Sequence, residues 1–125
     1  MKTYNIPKDV KGIIFDIDGT LYTSDEYVFE QVDVQVRHFA KLKSISVETA
    51  RKMVEEYKSK WAENHNGEKI SLAKTMAAFG ISVAESIQWR KTLIKPEKFL
   101  CRDEKLVKTL ENLKSKYKII CVTNN

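Results

Sequence analysis

The sequence predicts an α/β protein in which two parallel strands are separated along the chain by several helices. Two short, continuous apolar runs, "GIIFDI" at residues 12–17 and "KIICVT" at residues 118–123, are typical of buried strands in a parallel sheet. Between them, apolar side chains recur at spacings of three and four, which is the pattern of amphipathic helices. A strand, a helical crossover and a second parallel strand form the basic α/β unit.

The first strand is followed by two predicted helices with clear apolar faces. The apolar face of the first helix consists of Val28, Phe29, Val32, Val36, Phe39 and Ala40. Ser46 is suited to cap the second helix, because a serine hydroxyl can accept from a free amide of the first turn. The apolar face of that helix consists of Val47, Ala50, Val54, Tyr57 and Trp61.

Three further helices are predicted before the second strand. The segment "SLAKTMAAFG" should end at Gly80, since glycine suits the left-handed turn that closes many helices. The next helix starts at Ser82 and ends before Pro96, because proline disfavours helix at the residue ahead of it. Asp103 then caps a helix that leads into the second strand, with an apolar face of Leu106, Val107, Leu110, Leu113 and Tyr117.

These elements divide the chain into an α/β core and a helical insertion. We assign residues 1–23 and 96–125 to the core, and residues 24–95 to an inserted all-helical domain. The insertion carries enough apolar positions for a hydrophobic core of its own.

Composition indicates a globular protein without a membrane segment. The 125 residues are 42% hydrophobic and 31% charged, and no apolar run approaches the roughly 18 residues that cross a bilayer. The N-terminal residues have no hydrophobic signal core, so we expect a cytoplasmic protein. Cys101 and Cys121 lack the spacing of a metal site, and we expect two reduced, buried thiols.

The net charge of +5 does not indicate nucleic-acid binding. The 22 lysines and arginines are interleaved with 17 acidic residues and form no basic block. We therefore expect no nucleic-acid partner. A modest positive field would instead attract a small phosphorylated metabolite, which is the partner that we predict.

Two acidic residues at the end of the first strand are the main functional signal. Asp16 and Asp18 lie where ligands bind in open parallel sheets, beyond the carboxyl ends of the strands. Two carboxylates about 5 Å apart repel by roughly 3 kcal/mol at an effective dielectric near 20. Either a proton on one acid or a cation between them would relieve this repulsion, and Mg²⁺ suits such oxygen ligands.

The residues around this acidic pair fit the binding of a phosphoryl group. Gly19 lets the backbone turn and Thr20 adds a hydroxyl, while the second strand brings Thr123 and Asn124 to the same edge. In this chemistry Asp16 is the nucleophile that forms an aspartyl-phosphate, and Asp18 is the general acid and base. The structural alternative is an acidic turn that merely closes a strand.

The two motifs resemble signatures of a known enzyme superfamily. "FDIDGTLY" is similar to the first signature of the haloacid-dehalogenase-like superfamily, and "IICVTNN" resembles its second. The resemblance implies a Rossmann-like core with Thr123 on the phosphoryl oxygens. It also implies Mg²⁺ held by the Asp16 carboxylate and the Asp18 main-chain carbonyl. The helical insertion resembles the all-helical cap of the superfamily, which selects substrate.

Finer resemblances narrow the expected reaction. Asp18 resembles the second aspartate that the phosphatases and phosphomutases of the superfamily have at this position. True dehalogenases lack this acid. "LYTSDEYVFEQVDVQV", "SLAKTMAAFGI" and "KPEKFL" resemble the pyrimidine 5′-nucleotidase-like branch, which implies nucleoside monophosphates as substrates. Gly19 departs from this branch, many members of which have Asn there. Tyr22, just after the first motif, is predicted to have a packing role.

The resemblance also implies elements that this sequence does not contain. A lysine or arginine and a further acidic pair are expected after the second strand, so we expect a fragment of a longer hydrolase with little activity of its own. The fold is then a partial Rossmann-like sheet. The alternatives are a phosphomutase, or a non-catalytic interaction module that self-associates through its exposed sheet edge.

Overall fold

The structure is a computed structural model that describes residues 7–123, and its elements confirm the α/β class. In chain order they are β1 (Gly12–Asp16), α1 (Asp25–Lys43), α2 (Val47–Asn64), α3 (Leu72–Ala78), α4 (Val83–Leu93), a 3-10 turn (Pro96–Lys98), α5 (Glu104–Lys114) and β2 (Lys118–Val122). They form two compact units. One comprises the described residues up to Ser24 and from Leu100 onward, and the other is Asp25–Phe99.

Side-chain caps begin the helices where the sequence predicts them. The Ser46 hydroxyl accepts from the amide of Thr49 at 3.0 Å, and the Ser82 hydroxyl caps α4 in the same way. The Asp103 carboxylate accepts from the first amides of α5. Gly80, with a φ of 85°, follows α3 in the left-handed conformation that glycine adopts without strain. No helix within residues 7–123 combines the length and apolarity needed to cross a membrane.

The Asp25–Phe99 unit has its own hydrophobic core. Fully buried Phe39 and Met76 lie in this core, which also contains Val36, Ala40, Ala50, Val54, Ile81 and Trp89. The ring of Phe79 extends it by stacking on Phe39, with ring centroids 5.5 Å apart. Four helices therefore share one apolar interior, each contributing the side of its surface that carries apolar residues.

Part of the predicted apolar face of α1 lies outside this core. Val28, Phe29 and Val32 lie on the predicted face but are 54%, 62% and 42% exposed. The helix buries the side that carries Val36 and Phe39, because α2 and α4 contact it there. Periodicity identifies an apolar stripe, but the packing of the neighbouring helices determines how much of it is covered.

The other unit contains a two-stranded parallel sheet with one open face. In its register Gly12 pairs with Lys118 and Asp16 with Val122. Helix α5 contacts β2, but Ile14 and Ile120 are 69% and 56% exposed, so the prediction of buried strands is wrong. The predicted burial of both cysteines is also wrong, since both are exposed. One helix covers one face of a sheet, and the alternate side chains of the strands point to the other face.

Candidate active site

The carboxyl ends of both strands lie at the same edge of the sheet. Asp16, the last residue of β1, is directly opposite Val122, the last residue of β2. Thr123 follows immediately on the second strand. The parallel register thus brings the residues that follow β1 next to Thr123, although 105 positions separate Asp18 from Thr123 in sequence.

A tight turn at residues 17–21 follows β1. The carbonyl of Ile17 accepts from the amide of Leu21 at 3.0 Å and from the amide of Thr20 at 3.3 Å. Gly19 has a φ of 74°, which a residue with a side chain adopts only with strain. The turn places Tyr22 beside Asp18, and the two residues form a parallel bridge.

The carboxylate of Asp18 is held by two hydroxyl groups. Thr123 Oγ1 donates to Asp18 Oδ2 at 2.7 Å, and the Tyr22 hydroxyl donates to Asp18 Oδ1. One donor comes from the turn after β1 and the other from the end of β2. Since each oxygen accepts one of these hydrogen bonds, the two contacts together orient the plane of the carboxylate.

The other predicted site residues differ in their exposure to solvent. Asp16 is exposed, whereas Asp18 is half-buried. Gly19 and Thr20 are exposed in the turn. Asn124 lies outside the described residues. Of the predicted set, the structure thus records a direct side-chain contact between Asp18 and Thr123.

The chemistry of the predicted metal ligands fits Mg²⁺. The Asp16 carboxylate and the Asp18 main-chain carbonyl are both oxygen donors, which this hard cation prefers. Within residues 7–123, His, Cys, Asp and Glu side chains form no group of three or more that could hold a metal. Mg²⁺ commonly keeps several water molecules and binds only one or two protein carboxylates, so a hydrated ion on Asp16 is compatible with this donor set.

The role of Tyr22 was missed by sequence reasoning, which gave it a packing role. Its hydroxyl contacts the carboxylate four residues earlier in the chain. The signal that could have identified it is the turn itself. A tight turn that contains Gly19 follows Asp18 and brings Tyr22 beside it, so the Tyr22 hydroxyl can contact the Asp18 carboxylate.

Comparison with known proteins agrees with the two motifs. The family model described as haloacid dehalogenase-like hydrolase matches residues 10–125, which is almost the whole chain. Searches of curated proteins and of solved structures found no match.

Proposed function

The chain belongs to the haloacid dehalogenase-like hydrolase family, and from this membership we propose that it hydrolyses phosphate monoesters through an aspartyl-phosphate on Asp16. The family match supports a hydrolase. The phosphate ester as substrate and the covalent intermediate are our proposal, supported by the residues at the edge of the sheet.

The observation that carries this proposal is the fixed carboxylate of Asp18. It lies two residues from Asp16 at the carboxyl edge of the parallel strands, and hydroxyls from two separate segments hold it. A general acid must keep one orientation relative to the leaving group, because proton transfer requires hydrogen-bond geometry. An acidic turn that only closed a strand would need no such support.

In the first proposed step, an oxygen of the Asp16 carboxylate attacks the phosphorus of the ester. The bond from phosphorus to the alcohol oxygen breaks, and the Asp18 carboxyl gives its proton to the departing alkoxide. The products are the free alcohol and an aspartyl-phosphate on Asp16, while Asp18 is left as a carboxylate.

In the second proposed step, the Asp18 carboxylate takes a proton from water as the water oxygen attacks phosphorus. The bond between phosphorus and the Asp16 oxygen breaks, which releases inorganic phosphate and restores both residues. When bound at the Asp16 carboxylate and the Asp18 carbonyl, Mg²⁺ would reduce the negative charge of the phosphoryl group. Gly19, Thr20, Thr123 and Asn124 are the residues that we propose for contacts with phosphoryl oxygens.

The substrate class that we propose is a small phosphorylated metabolite. The resemblance of "LYTSDEYVFEQVDVQV" and "KPEKFL" to the nucleotidase-like branch supports the finer proposal of a nucleoside monophosphate. A panel of nucleoside and sugar monophosphates would test this finer point, with the release of inorganic phosphate as the measurement.

Capture of beryllofluoride tests the nucleophile without requiring turnover. This anion mimics the phosphoryl group on an aspartate, and its bound form gives a separate ¹⁹F NMR signal. We expect Mg²⁺-dependent capture that is lost in Asp16→Asn and retained in Asp9→Asn, where an exposed aspartate outside the site is changed. Mg²⁺-dependent capture that survives in Asp16→Asn would rule out Asp16 as the nucleophile.

A further inference from the structure

The two hydroxyl groups that hold Asp18 belong to residues with different further tasks. Thr123 Oγ1 donates to Asp18 Oδ2 at 2.7 Å, and the Tyr22 hydroxyl donates to Asp18 Oδ1. Thr123 is also one of the residues that we propose for contacts with phosphoryl oxygens, whereas Tyr22 is not. Any difference in role between the two residues rests on the proposed hydrolysis of phosphate monoesters.

The hydroxyl of Thr123 has a single proton to donate. In this structure it donates to the carboxylate of Asp18. The oxygens of a phosphate monoester dianion carry no proton, so a hydrogen bond between them and Thr123 uses the same hydroxyl proton. One hydroxyl proton makes one well-aligned hydrogen bond. Thr123 therefore gives up its hydrogen bond to Asp18 when it donates to a phosphoryl oxygen.

Tyr22 is tied to Asp18 by the local path of the chain. It lies four residues after Asp18, and the two residues form a bridge. The turn between them is held by the hydrogen bond from the Leu21 amide to the Ile17 carbonyl, which is 3.0 Å long. The Tyr22 side chain is half-buried and has only two torsions to order. Its contact with Asp18 can therefore persist while Thr123 turns to the phosphoryl group.

This exchange gives the two oxygens of Asp18 different tasks in the proposed first step. Oδ2 loses the hydrogen bond from Thr123 and can carry the proton that goes to the leaving group. Oδ1 keeps the hydrogen bond from Tyr22, which orients the carboxyl group. Binding of the phosphoryl group thus releases the oxygen that gives the proton, and the tyrosine keeps this oxygen in position.

We propose that Tyr22 is the positioning residue for Asp18 during proton transfer, and that Thr123 moves its hydrogen bond from Asp18 to the phosphoryl group. Tyr22 acts through Asp18 and touches neither phosphorus nor the leaving group. Its loss should therefore affect reactions according to how much the leaving group needs a proton.

The test compares two esters that differ in this need. The leaving group of 4-nitrophenyl phosphate departs as a stable anion, whereas that of 2-phenylethyl phosphate is an alkoxide that needs a proton. The chain is kept in excess over each ester with Mg²⁺ present, and release of the alcohol is followed, so that only the first step is measured. We expect Tyr22→Phe to slow release from the alkyl ester about tenfold more than release from the aryl ester. Equal slowing of both esters would overturn the proposal, because a purely structural role affects both alike.

Tyr117→Phe is the matched control. Tyr117 is also a half-buried tyrosine of the same unit. It immediately precedes β2 and so lies at the opposite edge of the sheet from the site. This substitution should leave alcohol release from both esters unchanged, and a selective loss equal to that of Tyr22→Phe would contradict the proposed role.

Thr123→Val tests the exchange from the other side. It keeps the shape of the side chain and removes the hydroxyl, so release from both esters should slow by a similar factor, because both need the phosphoryl contact. Selective slowing of the alkyl ester would show that Thr123 stays on Asp18 during proton transfer, and the proposal would be wrong. This comparison also decides the question should Tyr22→Phe fail to fold.

Asp16→Asn separates failure of this proposal from failure of the proposed function. It should abolish release from both esters. Undiminished release in Asp16→Asn would refute the proposed function. Abolished release in Asp16→Asn together with equal slowing of both esters by Tyr22→Phe would refute the role of Tyr22 alone.

Discussion

Replacing Asp33 by asparagine should destabilise the helical unit markedly, because this carboxylate links two helices. Its side chain is 5% exposed and lies on α1, while the guanidinium of Arg51 reaches it from α2 through two hydrogen bonds. Arg37 on α1 binds the same carboxylate. Asparagine keeps the volume but loses the charge, so two guanidinium groups lose their shared ionic partner.

The expected loss is about 2 kcal/mol in the free energy of unfolding. Breaking a fully buried ion pair costs about 3–5 kcal/mol, and breaking an exposed one costs less than about 1 kcal/mol. Asp33 is buried, but the side chains of Arg37 and Arg51 are 39% and 46% exposed, so water solvates part of the remaining charge. An intermediate value follows, and it corresponds to a fall in melting temperature of about 8–16 °C for a unit of this size.

The same carboxylate should make the free energy of unfolding depend on pH in the acidic range. The hydrogen bond from Arg51 is the largest cause that lowers the pKa of Asp33, and it acts with Arg37 against the opposing effect of burial. Because the pKa of Asp33 is lower in the folded state than in the unfolded state, its ionised carboxylate stabilises the fold. This contribution is fully present above the unfolded-state pKa, near 4, and is lost as the pH falls through the folded-state pKa. The natural chain should therefore lose more stability than Asp33→Asn when the pH falls from 5 toward 2.

Tryptophan fluorescence during urea unfolding can measure both effects. Trp61 and Trp89 are the two tryptophans of the chain, and both lie in the helical unit. Glu56→Gln is the control, because Glu56 is exposed and its nearest ion-pair contact, with Lys52, is 3.8 Å long. If Asp33→Asn unfolded at the same urea concentration as Glu56→Gln, or if its acid sensitivity equalled that of the natural chain, our account of this network would be wrong.

Three further substitutions test local features of the same unit by the same fluorescence measurement. Ser46→Ala removes the hydroxyl that accepts from Thr49 and should cost about 1 kcal/mol; no loss would mean that this cap contributes nothing. Gly80→Ala should also cost about 1 kcal/mol, because a residue with a side chain is strained at the φ of 85°. A steric clash does not contribute, since the nearest atom to an added Cβ is the end of the Lys43 side chain at 3.9 Å. A neutral result would contradict this backbone argument. Ser86→Ala should be neutral or stabilising, because the buried Ser86 hydroxyl has no hydrogen-bond partner among the described residues; a loss above about 1 kcal/mol would show that it has one.

Much of the fold could be predicted because the signals for element ends are local. Ser46, Ser82 and Asp103 begin their helices as predicted, since a cap depends on one side chain and the amides two or three residues later. The extent of burial was predicted less well. Val28 and Ile14 belong to clear apolar patterns and are nevertheless exposed, because burial depends on whether another element covers that side.

The candidate site shows the same division. The acidic pair and the glycine turn are adjacent in sequence, so the motif alone identifies Asp16 and Asp18 as residues of interest. The hydroxyl partners of Asp18 could not be predicted in the same way. Tyr22 reaches it through the detailed path of the turn, and Thr123 reaches it through the register of two strands.

The sequence by itself determined the local features of this protein: where helices begin, where strands end, and which acids follow the first strand. Only the tertiary structure decided which groups from distant segments meet, such as Thr123 with Asp18 and Arg51 with Asp33. The physical reason is the distance along the chain over which each interaction acts. Caps, turns and periodic apolar positions act over a few residues, whereas strand register and helix packing depend on contacts between segments that the chain brings together only on folding.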